Sequence, residues 1–156
     1  PLNQNLFLTI IVHKLSKNEE KMALIEWKDT LSVSVSKYDE QHKKLISLIN
    51  QLHEAMSAGK GKDVLEKVLS DLIAYTKNHF ADEEAELKKN NYMDFLNHKK
   101  EHDKLTMEVV KFYDEFKAGR TSITVEILSF LRFWLQDHIM KTDKKYGAFL
   151  QSKGVK

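Results

Sequence analysis

Four residues between Tyr75 and Phe116 have the types and spacing of metal ligands: His79, Glu83, His98 and His102. His79 and Glu83 stand four apart, as do His98 and His102, so on helices each pair shares one face, one turn apart. The second pair interrupts an apolar stripe. Phe95, His98, His102, Leu105, Val109, Phe112 and Phe116 alternate spacings of three and four, the seam of a packed helix, with histidines at two positions where leucine is expected. Burying two imidazoles side by side is costly unless their nitrogens have partners. Ring nitrogens aimed at one point, with a carboxylate and another histidine from a neighbouring helix, describe a metal site.

Long, uninterrupted helices must position these groups. The only proline is Pro1, and the five glycines, Gly59, Gly61, Gly119, Gly147 and Gly154, read as punctuation between helices. Asp39 predicts the N-cap of a first helix, with His42 in its first turn. Leu45, Ile46, Ile49, Leu52 and Met56 continue its apolar face to the stop at Gly59 and Gly61. A second helix runs from about Lys62 to Lys89, where Leu65, Val68, Leu72 and Tyr75 lead to His79 and Glu83; Asn90 and Asn91 break it. The seam forms the third helix, ending near Gly119. A fourth begins after Thr121 or Ser122 and carries Ile127, Leu131, Trp134 and His138 on one face. Short connections between four long helices predict an all-α fold, an antiparallel up-down-up-down four-helix bundle.

Ahead of the bundle, residues 24–37 alternate Leu31, Val33 and Val35, but no second strand exists to pair with them. They read as an extended N-terminal arm that lays Trp27 along the helices. Residues 1–21 read as a leader or non-native extension outside a domain of residues 22–156, because Leu6–Val12 lacks signal-peptide flanks and is too short to span a bilayer. His13, within that extension, is set aside. So is His53, which lies on nearly the face of His42 but roughly 16 Å along the helix, too far to share a site.

The inward set is therefore His42, His79, Glu83, His98, His102, His138 and Asp143. Every helix contributes, and the two carboxylates are the right number to bridge two cations. Asp143 follows His138 by five residues, which turn a regular α-helix through about 500°. Either the helix loosens there into a π-type turn or it ends and Asp143 reaches back. Composition narrows the chemistry further. A chain of 156 residues with 31% charged residues and a net charge of +2 has no basic stripe for nucleic acid, and no membrane-spanning segment is legible. The absence of cysteine excludes disulfides, thiolate zinc sites and iron–sulfur clusters, and fits a cytoplasmic protein.

The motifs WKDTLSVSVSKYDEQH, HFADEE, HKKEH and WLQDHIMKTDKKY resemble those of the hemerythrin family, above all its bacterial single-domain members, over residues 24–150. Four-helix bundles of this family are a known architecture. Met93 and Ser34 depart from the family pattern, which often has proline and glycine there. The resemblance implies a cofactor of two iron ions, a non-haem, oxo- or hydroxo-bridged centre. By the same resemblance, His98, His102 and His138 would hold one iron and His42 and His79 the other. Glu83 and Asp143 would bridge them, leaving an open position for dioxygen on the iron with two histidines. Phe80, Trp134, Leu135 and Ile139 match the residues that line the family's oxygen pocket.

The residue types agree with that implication. Ferritin-like di-iron oxidases use about four carboxylates and Glu-x-x-His spacing. Here there are five imidazoles, two carboxylates and spacings of four, and fewer anionic ligands make high-valent iron harder to reach. The function expected is reversible binding of dioxygen for carriage, storage or delivery, by a protein that is not an enzyme. An oxygen-using enzyme or a reductase is its expected further partner. The alternatives are a di-iron peroxidase or oxidase, or an oxygen sensor acting through a separate partner.

Overall fold

Four runs of 3.6-residue apolar periodicity each form a helix in the computed structural model, which describes residues 23–156. Helix α1 is Ser36–Ser57, α2 is Lys62–Lys89, α3 is Phe95–Lys117 and α4 is Val125–His138. The fourth continues through a π turn, Ile139–Asp143, into α5, Lys144–Ser152. Among the described residues there is no strand, only a short 3-10 turn at Asp29–Leu31 in the arm. Helix α1 packs on α2, α2 on α3, and α4 back on α1. Buried leucines and isoleucines from all four fill the middle of the bundle, among them Leu52, Leu69, Leu105 and Leu128. Each such side chain contributes about 1.5–3 kcal/mol relative to exposure. The expectations for residues 1–21, His13 included, lie outside the described residues.

The turns follow from backbone chemistry. Gly59 and Gly119 take φ of 61° and 72° just past the ends of α1 and α3, the left-handed conformation that lets the next amides cap the last helical carbonyls. Asn91 does the same after α2, with φ of 55°.

Three expectations need correction. Helix α1 begins at Ser36, so Asp39 is not its N-cap and His42 lies in its second turn. The Asp39 carboxylate instead turns back to the arm, accepting from the Val33 amide at 2.7 Å and the Ser32 hydroxyl at 2.6 Å, where an anion also suits the helix N-terminus. Helix α4 starts two or three residues later than expected. Ile123 first reaches the core, and Thr124 is the N-cap, its hydroxyl accepting from the Ile127 amide. Gly147 is not punctuation but lies inside α5, against the arm. A Cβ there would stand 2.2 Å from the Val33 carbonyl oxygen.

The arm is extended, as expected. Ile25, Leu31, Val33 and Val35 are buried, and the Asn50 side chain both accepts from the Ile25 amide and donates to its carbonyl. Trp27 lies beside α1, with the Lys43 ammonium 5.1 Å from its ring centroid.

Candidate metal centre

The up-down topology brings the start of α1, the end of α2, the start of α3 and the end of α4 to the same level. His42, His79, Glu83, His98, His102, His138 and Asp143 meet there, none more than 5% exposed. His79 with Glu83, and His98 with His102, are successive turns of one helix face, as their spacing requires. Asp143 joins them because the π turn, with its i→i+5 hydrogen bonding, brings the fifth residue after His138 round to the same side. All seven residues of the sequence-derived set are thus together.

They form two groups whose candidate ligand atoms lie within 4.8 Å of one another: His98, His102, His138 and Asp143, and His42, His79 and Glu83. The carboxylates stand between the groups. Glu83 Oε1 is 3.5 Å from Nε2 of both His42 and His79, and its Oε2 is 3.4 Å from His98 and 3.5 Å from His102. Asp143 presents Oδ2 to His42 at 3.3 Å and Oδ1 to His138 at 3.0 Å and His98 at 3.7 Å. Each carboxylate offers one oxygen to each group.

Three rings are held from behind. The Nδ1 of His79 faces Gln41 at 2.8 Å, that of His102 faces Glu84 at 3.1 Å, and that of His138 faces Glu101 at 2.9 Å. Such contacts place the ring proton on Nδ1 and turn an unprotonated Nε2 inward. The Nε2 atoms of His102 and His138 then face each other at 3.1 Å, two lone pairs that a shared cation relieves. Both nitrogens of His42 and of His98, Glu83 Oε2 and both Asp143 oxygens are buried without a hydrogen-bond partner. Buried anionic oxygens in that condition are strongly unfavourable unless cations compensate them. The donor set, nitrogens and carboxylate oxygens with no sulfur, suits a borderline divalent transition metal.

The electrostatics agree. Burial would raise Glu83, but the charge of His79 and the rings of His42 and His98 hold it well below the usual carboxylate range. Asp143 is also lowered, the His138 and His42 rings prevailing over burial and the Glu83 charge. Burial pulls His42 down, yet the Asp143 and Glu83 carboxylates outweigh it and raise it to about 9. His102, where burial dominates, is pushed down to about 2.

Phe80 stacks on His102 with centroids 3.6 Å apart, and Trp134 stacks on His138 at 4.5 Å. These two and Leu135 border an apolar cavity of about 40 Å³ that extends toward Leu45, Leu72 and Leu131. Ile139, fully buried at the head of the π turn, does not line it.

Sequence reasoning missed Tyr146, whose hydroxyl donates to Glu83, and the three residues behind the rings. A signal for the latter exists. Gln41, Glu84 and Glu101 each neighbour a site residue in sequence, and each supports a histidine on the next helix of the chain.

Residues 33–150 match the Hemerythrin HHE cation binding domain. The chain is 37% identical over 132 residues to the bacteriohemerythrin of Methylococcus capsulatus strain Bath, covering 84% of this chain and 100% of that one. It is 31% identical over 125 residues to the myohemerythrin of Theromyzon tessulatum, covering 80% of this chain and 92% of that one. A solved wild-type hemerythrin, 38% identical, overlays with a TM-score of 0.76 and covers 81% of this chain and 97% of its own.

Proposed function

The chain belongs to the hemerythrin family, and from that premise we propose that it binds dioxygen reversibly at a non-haem di-iron centre. His98, His102 and His138 would hold one iron, His42 and His79 the other, with Glu83 and Asp143 between them. The observation that carries this reading is the placement of the two carboxylates, each with one oxygen toward either group of imidazoles. Two irons held there would supply the electrons that dioxygen takes on binding and gives back on release.

The chain's own groups do the rest. Gln41, Glu84 and Glu101 orient imidazoles, and the buried Tyr146 hydroxyl donates to Glu83, steadying one carboxylate. The group with two histidines offers fewer protein ligands, so dioxygen is assigned to that side. Phe80, Trp134, Leu135 and Ile139 are assigned to keeping water from the centre as a whole. A cavity of about 40 Å³ with aliphatic and aromatic walls stays dry and suits a small apolar diatomic. Excluding water matters because protons reaching the centre would favour loss of reduced oxygen over return of dioxygen.

The protein is proposed as a carrier, store or donor of dioxygen, not as an enzyme, with a cytoplasmic location. An oxygen-using enzyme or a reductase is its proposed partner. Among the described residues no helix is long and apolar enough to cross a membrane. Anaerobic reduction, oxygenation and degassing, followed optically, test the reading. Recovery of the starting spectrum over repeated cycles is expected. Consumption of oxygen with each addition of reductant, and none returned, would overturn it in favour of a peroxidase or oxidase.

A further inference from the structure

We propose that Glu101 is a positioning residue for this centre, one oxygen of its carboxylate fixing both a ligand ring and the π turn that delivers Asp143. The inference rests on the metal-centre reading above. Glu101 Oε2, reaching from α3 to α4, lies 2.9 Å from Nδ1 of His138 and 3.0 Å from the Thr142 hydroxyl, which donates to it.

The first contact settles the tautomer of His138. With its proton on Nδ1, the ring turns an unprotonated Nε2 toward Asp143 and His102. The second contact holds the one stretch of this helix that is not α-helical. A π turn is a rare geometry, so tertiary contacts must favour it over the α-helix that would swing Asp143 away. Thr142 is the residue before Asp143, and rotating the turn out of the site would break its bond to Glu101. One oxygen therefore couples the ring of His138 to the register of Asp143. The Glu101 side chain is 49% exposed, so its replacement leaves the core of the bundle intact.

Cobalt(II) binding by the metal-free chain and by the variants E101A, E101Q and T142V tests this. E101A is expected to bind cobalt(II) about 10–100-fold more weakly, the usual effect of losing an outer partner of a ligating histidine, and to show an altered visible spectrum. E101Q, whose amide oxygen can accept both bonds, is expected to restore affinity close to the parent. T142V, which keeps the ring contact and loses the tie to the turn, should fall between them. In the zinc-loaded parent and E101Q, a slowly exchanging His138 Nδ1–H signal is expected by NMR, and in E101A it should be absent. An E101A chain with the parent's affinity and spectrum overturns the proposal alone. A parent that binds no pair of cobalt ions overturns the metal-centre reading and this proposal with it. Should E101A fail to fold by circular dichroism, T142V decides, and unchanged affinity and spectrum there refute the coupling.

Discussion

Leu135→Ala separates water exclusion from metal binding. Leu135 is 5% exposed, borders the apolar cavity of about 40 Å³ and stands one turn before His138. Truncation enlarges a void that already exists, so the walls have little left to close it. The stability cost should fall within about 2–5 kcal/mol, the range for buried leucines cut to alanine. Nothing in the centre touches this side chain through a polar atom, so the metal content should stay near that of the parent. What changes is access: the widened cavity can take up water next to the centre. The assay is the decay of the oxygenated spectrum in air, with unfolding followed separately by circular dichroism at the same temperature. The expected result is a folded, metal-replete variant that oxidises faster than the parent. A folded variant with the parent's lifetime would show that Leu135 does not guard the site.

Other outcomes follow from the same geometry. His102→Ala should lose the metal of the three-histidine group and some stability, because binding energy is linked to folding; elemental analysis showing the parent's iron content would refute the ligand assignment. Gly147→Ala puts a Cβ 2.2 Å from the Val33 carbonyl oxygen and 3.1 Å from its carbon. Relieving that overlap should cost about 1–3 kcal/mol, with roughly 2–4 °C of Tm for each kcal/mol, and an unchanged melting curve would show that the arm does not press on α5. Burial lowers His42, but Asp143 and Glu83 outweigh it and raise it to about 9, so the metal-free chain keeps a proton there at neutral pH. A ligating imidazole must lose that proton. Zinc binding at pH 7 should therefore release protons, and both the release and the pH dependence of affinity should fade as pH rises past about 9. Calorimetry in buffers of different ionisation enthalpy measures this, and no release at pH 7 would contradict it.

The seven clustered residues were legible because they follow helix periodicity. Spacings of four and a seam interrupted by histidine survive in the one-dimensional pattern. The arm was legible as an extended segment for a simpler reason, since its alternating valines had no second strand to meet. Sequence left two routes for Asp143, and only the backbone decides that the helix loosens and then resumes. Contacts that follow no helix periodicity were invisible. Asp39 looks like a cap, yet it accepts from Val33, and Gly147 looks like a breaker, yet it makes room for that residue's carbonyl. Ser34, a departure from the family pattern, has φ of 61°, a conformation glycine adopts freely and serine does not.

The supports behind the rings also give loading a direction. They pass from each helix to the next: Gln41 on α1 to His79 on α2, Glu84 on α2 to His102 on α3, Glu101 on α3 to His138 on α4. Among the described residues no α-helix precedes α1, and Nδ1 of its His42 has no partner. Two of the three imidazoles in one group are therefore held in advance, against one of two in the other. Ordering a loose side chain on binding costs about 0.5–1.5 kcal/mol. Each group leaves one ring to order, His98 or His42, so that cost is even; the group that already presents two fixed nitrogens, against one, should fill first, and a half-loaded chain should carry its single ion among His98, His102 and His138.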